Sequence, residues 1–227
     1  MRTVLLQLAD SGFPAGTFAH SGGLEALHQL GLLQGEAQLR GRLRELVWHT
    51  AYGALPFLND AHGGAATALT PTHSPAGERE RRADVAAQVF LSNHVAQRAS
   101  QAQGKAFLLA AEATFESAQI SALRDSLPHS HLPVAFGAAL ATQSIPLDEV
   151  RQTFLFCSVR SALSAVVRLG VLGPLRAQAL LHGLHPLFEE ALAKTAGLRS
   201  DEAVSVSPWL ETAQSAHDRL YSRLFQS

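Results

Sequence analysis

Leu147-Asp148-Glu149-Val150-Arg151-Gln152-Thr153-Phe154-Leu155-Phe156-Cys157-Ser158-Val159-Arg160-Ser161-Ala162-Leu163-Ser164-Ala165-Val166-Val167-Arg168-Leu169 is the stretch that decides the fold. Leu147, Val150, Phe154 and Cys157 recur at three- and four-residue steps, and Val159, Leu163, Val166 and Leu169 continue the spacing. In its second half apolar residues point to nearly every side. A helix apolar all round packs at the centre of other helices. Arg160 and Arg168 break the apolar run well short of the ~20 residues a bilayer span needs. Each guanidinium either reaches water along its apolar stem or pairs with a carboxylate across an interface.

The segments around this stretch are helical too. Upstream, Leu39, Leu43, Leu46, Val47, Thr50 and Ala54 share one helical face while Arg40, Arg44 and Glu45 look away. Pro56 suits the first turn of the next helix, which Gly63-Gly64 weakens. Thr70 to Gly77, with two prolines, is the best candidate for a flexible linker. An alanine- and glutamine-rich segment follows out to about Glu116. Its small residues Ala96, Ala99, Ser100 and Gly104 suit a close helix crossing. Pro133 starts a short helix and Pro146 ends it; Gly173-Pro174 turns into a segment from Leu175 to Leu198, and Pro208 opens the last one. No stretch alternates with period two, and isoleucine occurs only at Ile120 and Ile145. The reading is all-α, one domain of roughly eight to ten helices over residues 1–227.

Composition narrows the function classes. Apolar residues make up 47% and charged residues 16%, the latter low for a soluble domain. Such a surface favours contact with another protein chain. A net charge of −1 gives no footprint for nucleic acid or an anionic membrane. Cys157 is the only cysteine, which excludes an intrachain disulfide and fits a cytoplasmic protein.

The segment least like the rest runs from Asp10 to Glu25, where four glycines and a proline stand beside Phe13, Phe18, His20 and two serines. Its shape is specified by residues that permit or fix unusual backbone angles. Phe13 and Phe18 suit insertion into the core. Asp10, His20 and Ser21 supply the residue types of a helical hydrolase, but the strand-turn-helix setting of a nucleophile elbow is missing. Ser21 serves more simply as the N-cap of a helix from Leu24, with Glu25 in its first turn. His129 and His131, and His182 and His185, are weak candidates for a metal site, since neither pair has a third ligand nearby in sequence. A carrier holding Ni2+ through one of them is the alternative class. Gly104-Lys105 lacks the other residues of a phosphate-binding loop. The carboxy-terminal Tyr221, Arg223 and Phe225 are of the types enriched at interface hot spots.

Read together, Leu5 to Ser11, Phe13-Pro14, Phe18 to Glu25, Arg98 to Gly104, His131 to Gly137, Ser164 to Leu169 and Tyr221 to Ser227 resemble the motifs of the UreF family of urease accessory proteins, in order along the chain. The resemblance implies a non-enzymatic, all-α assembly factor with no stably bound cofactor. It implies a homodimer that binds UreD (UreH in some organisms), recruits the GTPase UreG, and helps Ni2+ pass through the assembled complex into the urease apoprotein. Carried over by motif, Phe18, His20, Ser21, Glu25, Arg168, Tyr221, Arg223 and Phe225 face partners. One departure is Pro174-Leu175 after Gly173, where the family often reads Gln-Thr.

Overall fold

A computed structural model describes residues 2–15, 20–68 and 77–226. Among them there are helices and connecting turns but no strand. In chain order the helices are α1 (Thr3–Ala9), α2 (Leu24–Gln29), α3 (Glu36–Gly53), α4 (Leu55–Ala68), α5 (Glu78–Phe90) and α6 (His94–Phe115). They continue as α7 (Ala118–Ser126), α8 (Leu132–Thr142), α9 (Leu147–Arg168), α10 (Pro174–Gly183), α11 (His185–Lys194) and α12 (Pro208–Ala216). Short 3-10 turns lie at Ser200–Glu202 and His217–Arg219.

The all-α expectation holds, with more pieces than expected. Two segments that read as continuous are split. Leu91-Ser92-Asn93 divides α5 from α6, and the Asn93 side chain accepts the amide of Val95 at 2.9 Å, capping α6. Leu184 separates α10 from α11 because Pro186, which lacks an amide proton, fits the first turn of a new helix better than the middle of an old one. In the other direction, α4 runs on through Gly63-Gly64, and α5 packs against Gly64 through Arg79 and Glu80. The proposed linker falls, over residues 70–76, outside the described residues; Gly77, its last residue, takes φ +91° ahead of α5.

The expected central helix is central. α9 packs against α1, α2, α3, α4, α8, α10 and α11. Beside it α8 is buried without a break from Pro133 to Ala141, wedged chiefly between α4 and α6. Small side chains make that possible, since five of those nine residues are alanine or glycine and let neighbouring backbones come close. A file of aromatic rings ties the layers together. Phe13 lies 6.1 Å from Phe107, Phe107 lies 4.9 Å from Phe136, and Phe136 lies 5.4 Å from Phe154. Phe13 is thus a core plug, as its loop implied; Phe18 lies outside the described residues.

The turn before α8 is a built joint. Asp84, fully buried on α5, accepts the backbone amides of His129 (2.7 Å), Ser130 (3.0 Å) and His131 (2.8 Å). Ser130 takes φ +59° there. On the other side of the turn stands Gly104 of α6, where an added Cβ would lie 1.8 Å from the Ser130 carbonyl oxygen. The close approach read from the small residues of α6 is made at Gly104 by the backbone of the turn leading into α8, where α6 and α8 pack together.

Candidate partner-binding site

The opening segment and the end of the chain form one surface, joined through a buried carboxylate. Gly23 begins α2 with φ +90°, and a Cβ there would sit 3.0 Å from the backbone nitrogen of Gln214 in α12. Only glycine satisfies both the angle and the space. The N-cap position thus belongs to Gly23, not to Ser21 as expected; the Ser21 carbonyl accepts the Leu24 amide at 3.2 Å, and Ser21 itself is buried.

One residue into α2, Glu25 points inward and is 1% exposed. Its carboxylate accepts the amide of Leu224 at 2.6 Å and that of Phe225 at 3.2 Å, and lies 3.1 Å from His217 Nε2. His217 is fully buried, and its Nδ1 makes no hydrogen bond among the described residues, so the proton that serves this contact sits on Nε2. A turn further on, Gln29 donates to the Ser222 carbonyl at 2.8 Å. Residues 222–225 therefore lie along α2. A buried carboxylate is tolerated because donors on the tail replace its water.

Two further contacts fasten the tail. The Arg168 guanidinium sits 4.4 Å from the centroid of the buried Phe225 ring, a cation–π arrangement at the end of α9. Asp218 accepts from Arg98 at 2.8 Å and lies 3.2 Å from His94 and 3.5 Å from Arg223. The Arg98 hydrogen bond holds the Asp218 carboxyl below its usual range.

What this frame presents outward is apolar and aromatic. Tyr221 is fully exposed, Leu224 and Trp209 are more than half exposed, and Arg223 is half exposed. Of the residues carried over from sequence, Arg168, Tyr221 and Arg223 are thus on the surface. His20, Ser21, Glu25 and Phe225 are buried beneath it. His217, Gln29 and Asp218 were not singled out by sequence reasoning, because nothing along the chain links them to a glutamate on α2.

Beneath the opening segment lies a cavity of about 270 Å3, lined among others by His20, His49, Ser100, Phe136, Cys157 and Arg160. Burial pushes the His20 imidazole down to about 4, and the Arg98 charge adds to the effect. Burial likewise lifts the Cys157 thiol to about 11, which makes it inert. In the hydrolase reading Asp10 would orient His20. Asp10 accepts the Gly12 amide at 2.6 Å within its own exposed turn.

The two histidine pairs differ. His131 is fully buried, with Nε2 2.9 Å from Gln88 Oε1, and His129 is held by its backbone to Asp84. Burial lowers the His131 imidazole to about 4. His182 and His185 are exposed. Among the described residues no group of three or more histidine, cysteine, aspartate or glutamate side chains converges as a metal site. No described helix is long and apolar enough to cross a membrane.

The UreF family model matches residues 33–185. Over 228 residues the chain is 32% identical to the urease accessory protein F of Arabidopsis thaliana, covering 97% of this chain and 90% of that protein. It is 31% identical over 235 residues to the urease accessory protein UreF of Trichodesmium erythraeum, covering 97% and 94%. With the same protein of Paenarthrobacter aurescens the identity is 30% over 231 residues, covering 98% and 96%. The family model begins after Glu25 and stops before the tail, so the likeness at the two joined ends rests on these nearly full-length matches.

Proposed function

This chain belongs to the UreF family of urease accessory proteins, a family of accessory proteins and not of enzymes, and from that membership we propose that it acts as a cytoplasmic scaffold in urease maturation. In this reading the protein dimerises, binds UreD (or UreH), and recruits and regulates the GTPase UreG. Ni2+ is cargo that passes through the assembled complex to the urease apoprotein. The observation that carries the reading is the Glu25 junction. A buried carboxylate holds the last residues against α2, so that Tyr221, Arg223 and Leu224 stand on a preformed surface. Preformed aromatic and arginine contacts lose little conformational entropy on binding. His20, Ser21, Glu25 and Phe225 then contribute by supporting that surface from below, and the exposed Arg168 guanidinium lies against the Phe225 ring at its edge.

Co-expression with UreD and UreG, followed by sizing with and without GTP, tests the proposal. A ternary complex that is lost or weakened in Tyr221→Ala and Arg223→Ala is the expected result. Absence of any complex with the unaltered chain would overturn it.

A further inference from the structure

We propose that His182 and His185 form a surface site for one late first-row divalent cation of the nickel, copper and zinc group. The two imidazoles meet where α10 ends and α11 begins. The break at Leu184 brings residues three apart onto one side of the turn. Their ring centroids are 5.1 Å apart with planes at 71°. Two imidazoles on one cation, at about 2.1 Å per bond in tetrahedral or cis-octahedral arrangement, have ring centres about 4.5–5.3 Å apart. The pair already stands at that spacing. His185 also lies 6.0 Å from the buried ring of Phe188, a wall that limits its rotamers.

The contrast with the other pair sharpens the assignment. His129 and His131 lie 5.8 Å apart, but His131 is buried and engaged with Gln88. The pair at the α10–α11 turn is the one open to solvent. Imidazole nitrogen selects nickel, copper and zinc over magnesium and calcium, which prefer oxygen. With two protein ligands, water completes the coordination, so the site binds reversibly and more weakly than a closed four-ligand centre. This inference stands apart from the scaffold reading, which needs no metal on this chain.

The test is calorimetric titration of the full chain with Ni2+ and, separately, Zn2+ and Mg2+. One Ni2+ or Zn2+ per chain is expected, with affinity falling at least tenfold in both His182→Ala and His185→Ala and unchanged in His129→Ala. Mg2+ should give no heat of binding. Both alanine changes are on the surface, and circular dichroism verifies that the variants stay folded. Failure of Ni2+ and Zn2+ to bind, or binding of equal strength in all three variants, would overturn the proposal. Neither result bears on the complex with UreD and UreG.

Discussion

Glu25 and His217 stand 192 positions apart in the chain and meet at 3.1 Å, with side chains 1% and 0% exposed. Their contact makes the first short helices and the last residues parts of one structure. Glu25→Ala would leave the amides of Leu224 and Phe225 and the His217 Nε2 without an acceptor in a buried place. The expected loss is about 2–4 kcal/mol. Thermal melting should report it, and limited proteolysis should cut the variant first after residue 217. Glu25→Gln, which keeps one acceptor oxygen, should fall between.

The tail separates binding from stability. Removing the exposed Tyr221 ring should change stability by less than about 0.5 kcal/mol while weakening capture of UreD by about tenfold or more. Phe225→Ala removes a buried ring and should cost about 3 kcal/mol of stability. Chemical denaturation paired with a UreD pull-down distinguishes the two. Equal behaviour of both variants in both assays would contradict the division into a presenting and a supporting layer.

Gly104 sets a second limit. With Ser130 oxygen at 1.8 Å from any added Cβ, Gly104→Ala forces a backbone to move, and both backbones here are held by helices and by Asp84. More than about 3 kcal/mol should be lost, the upper range for overpacking, seen as a fall in soluble yield and in melting temperature. Gly41→Ala on α3 has open space around it and should gain up to about 1 kcal/mol.

His20 and His131 make the fold acid-sensitive. Both imidazoles are held down to about 4 by burial, while in the unfolded chain they titrate near the ordinary 6.5. Between these values the unfolded chain binds more protons than the folded one, so stability rises with pH. Their contribution is whole above about pH 6.5 and is lost as pH falls toward 4, on the order of 2 kcal/mol each. The urea midpoint should therefore be clearly lower at pH 5 than at pH 7.5. In His131→Gln the difference between the two pH values should shrink.

Periodicity alone determined the helical class, the central place of Leu147 to Leu169, and the face of α3 marked by Leu39, Leu43 and Val47. These readings succeed because helix formation and burial of a helix face depend on neighbours three and four residues away. The breaks at Asn93 and Leu184 were less legible, since a cap or a proline permits a boundary without requiring one. Motif resemblance marked both chain ends as important. It gave no reason for either, and it did not separate the exposed Tyr221 from the buried Phe225. Only the tertiary structure brought Glu25 to the amides of Leu224 and Phe225 and Asp84 to the turn before α8. Such contacts satisfy buried or exposed polar groups across long separations in sequence, and a one-dimensional pattern carries no term for them. The glutamate in the first turn of α2 looked like a response to the helix dipole; what decided its role was its burial against two tail amides.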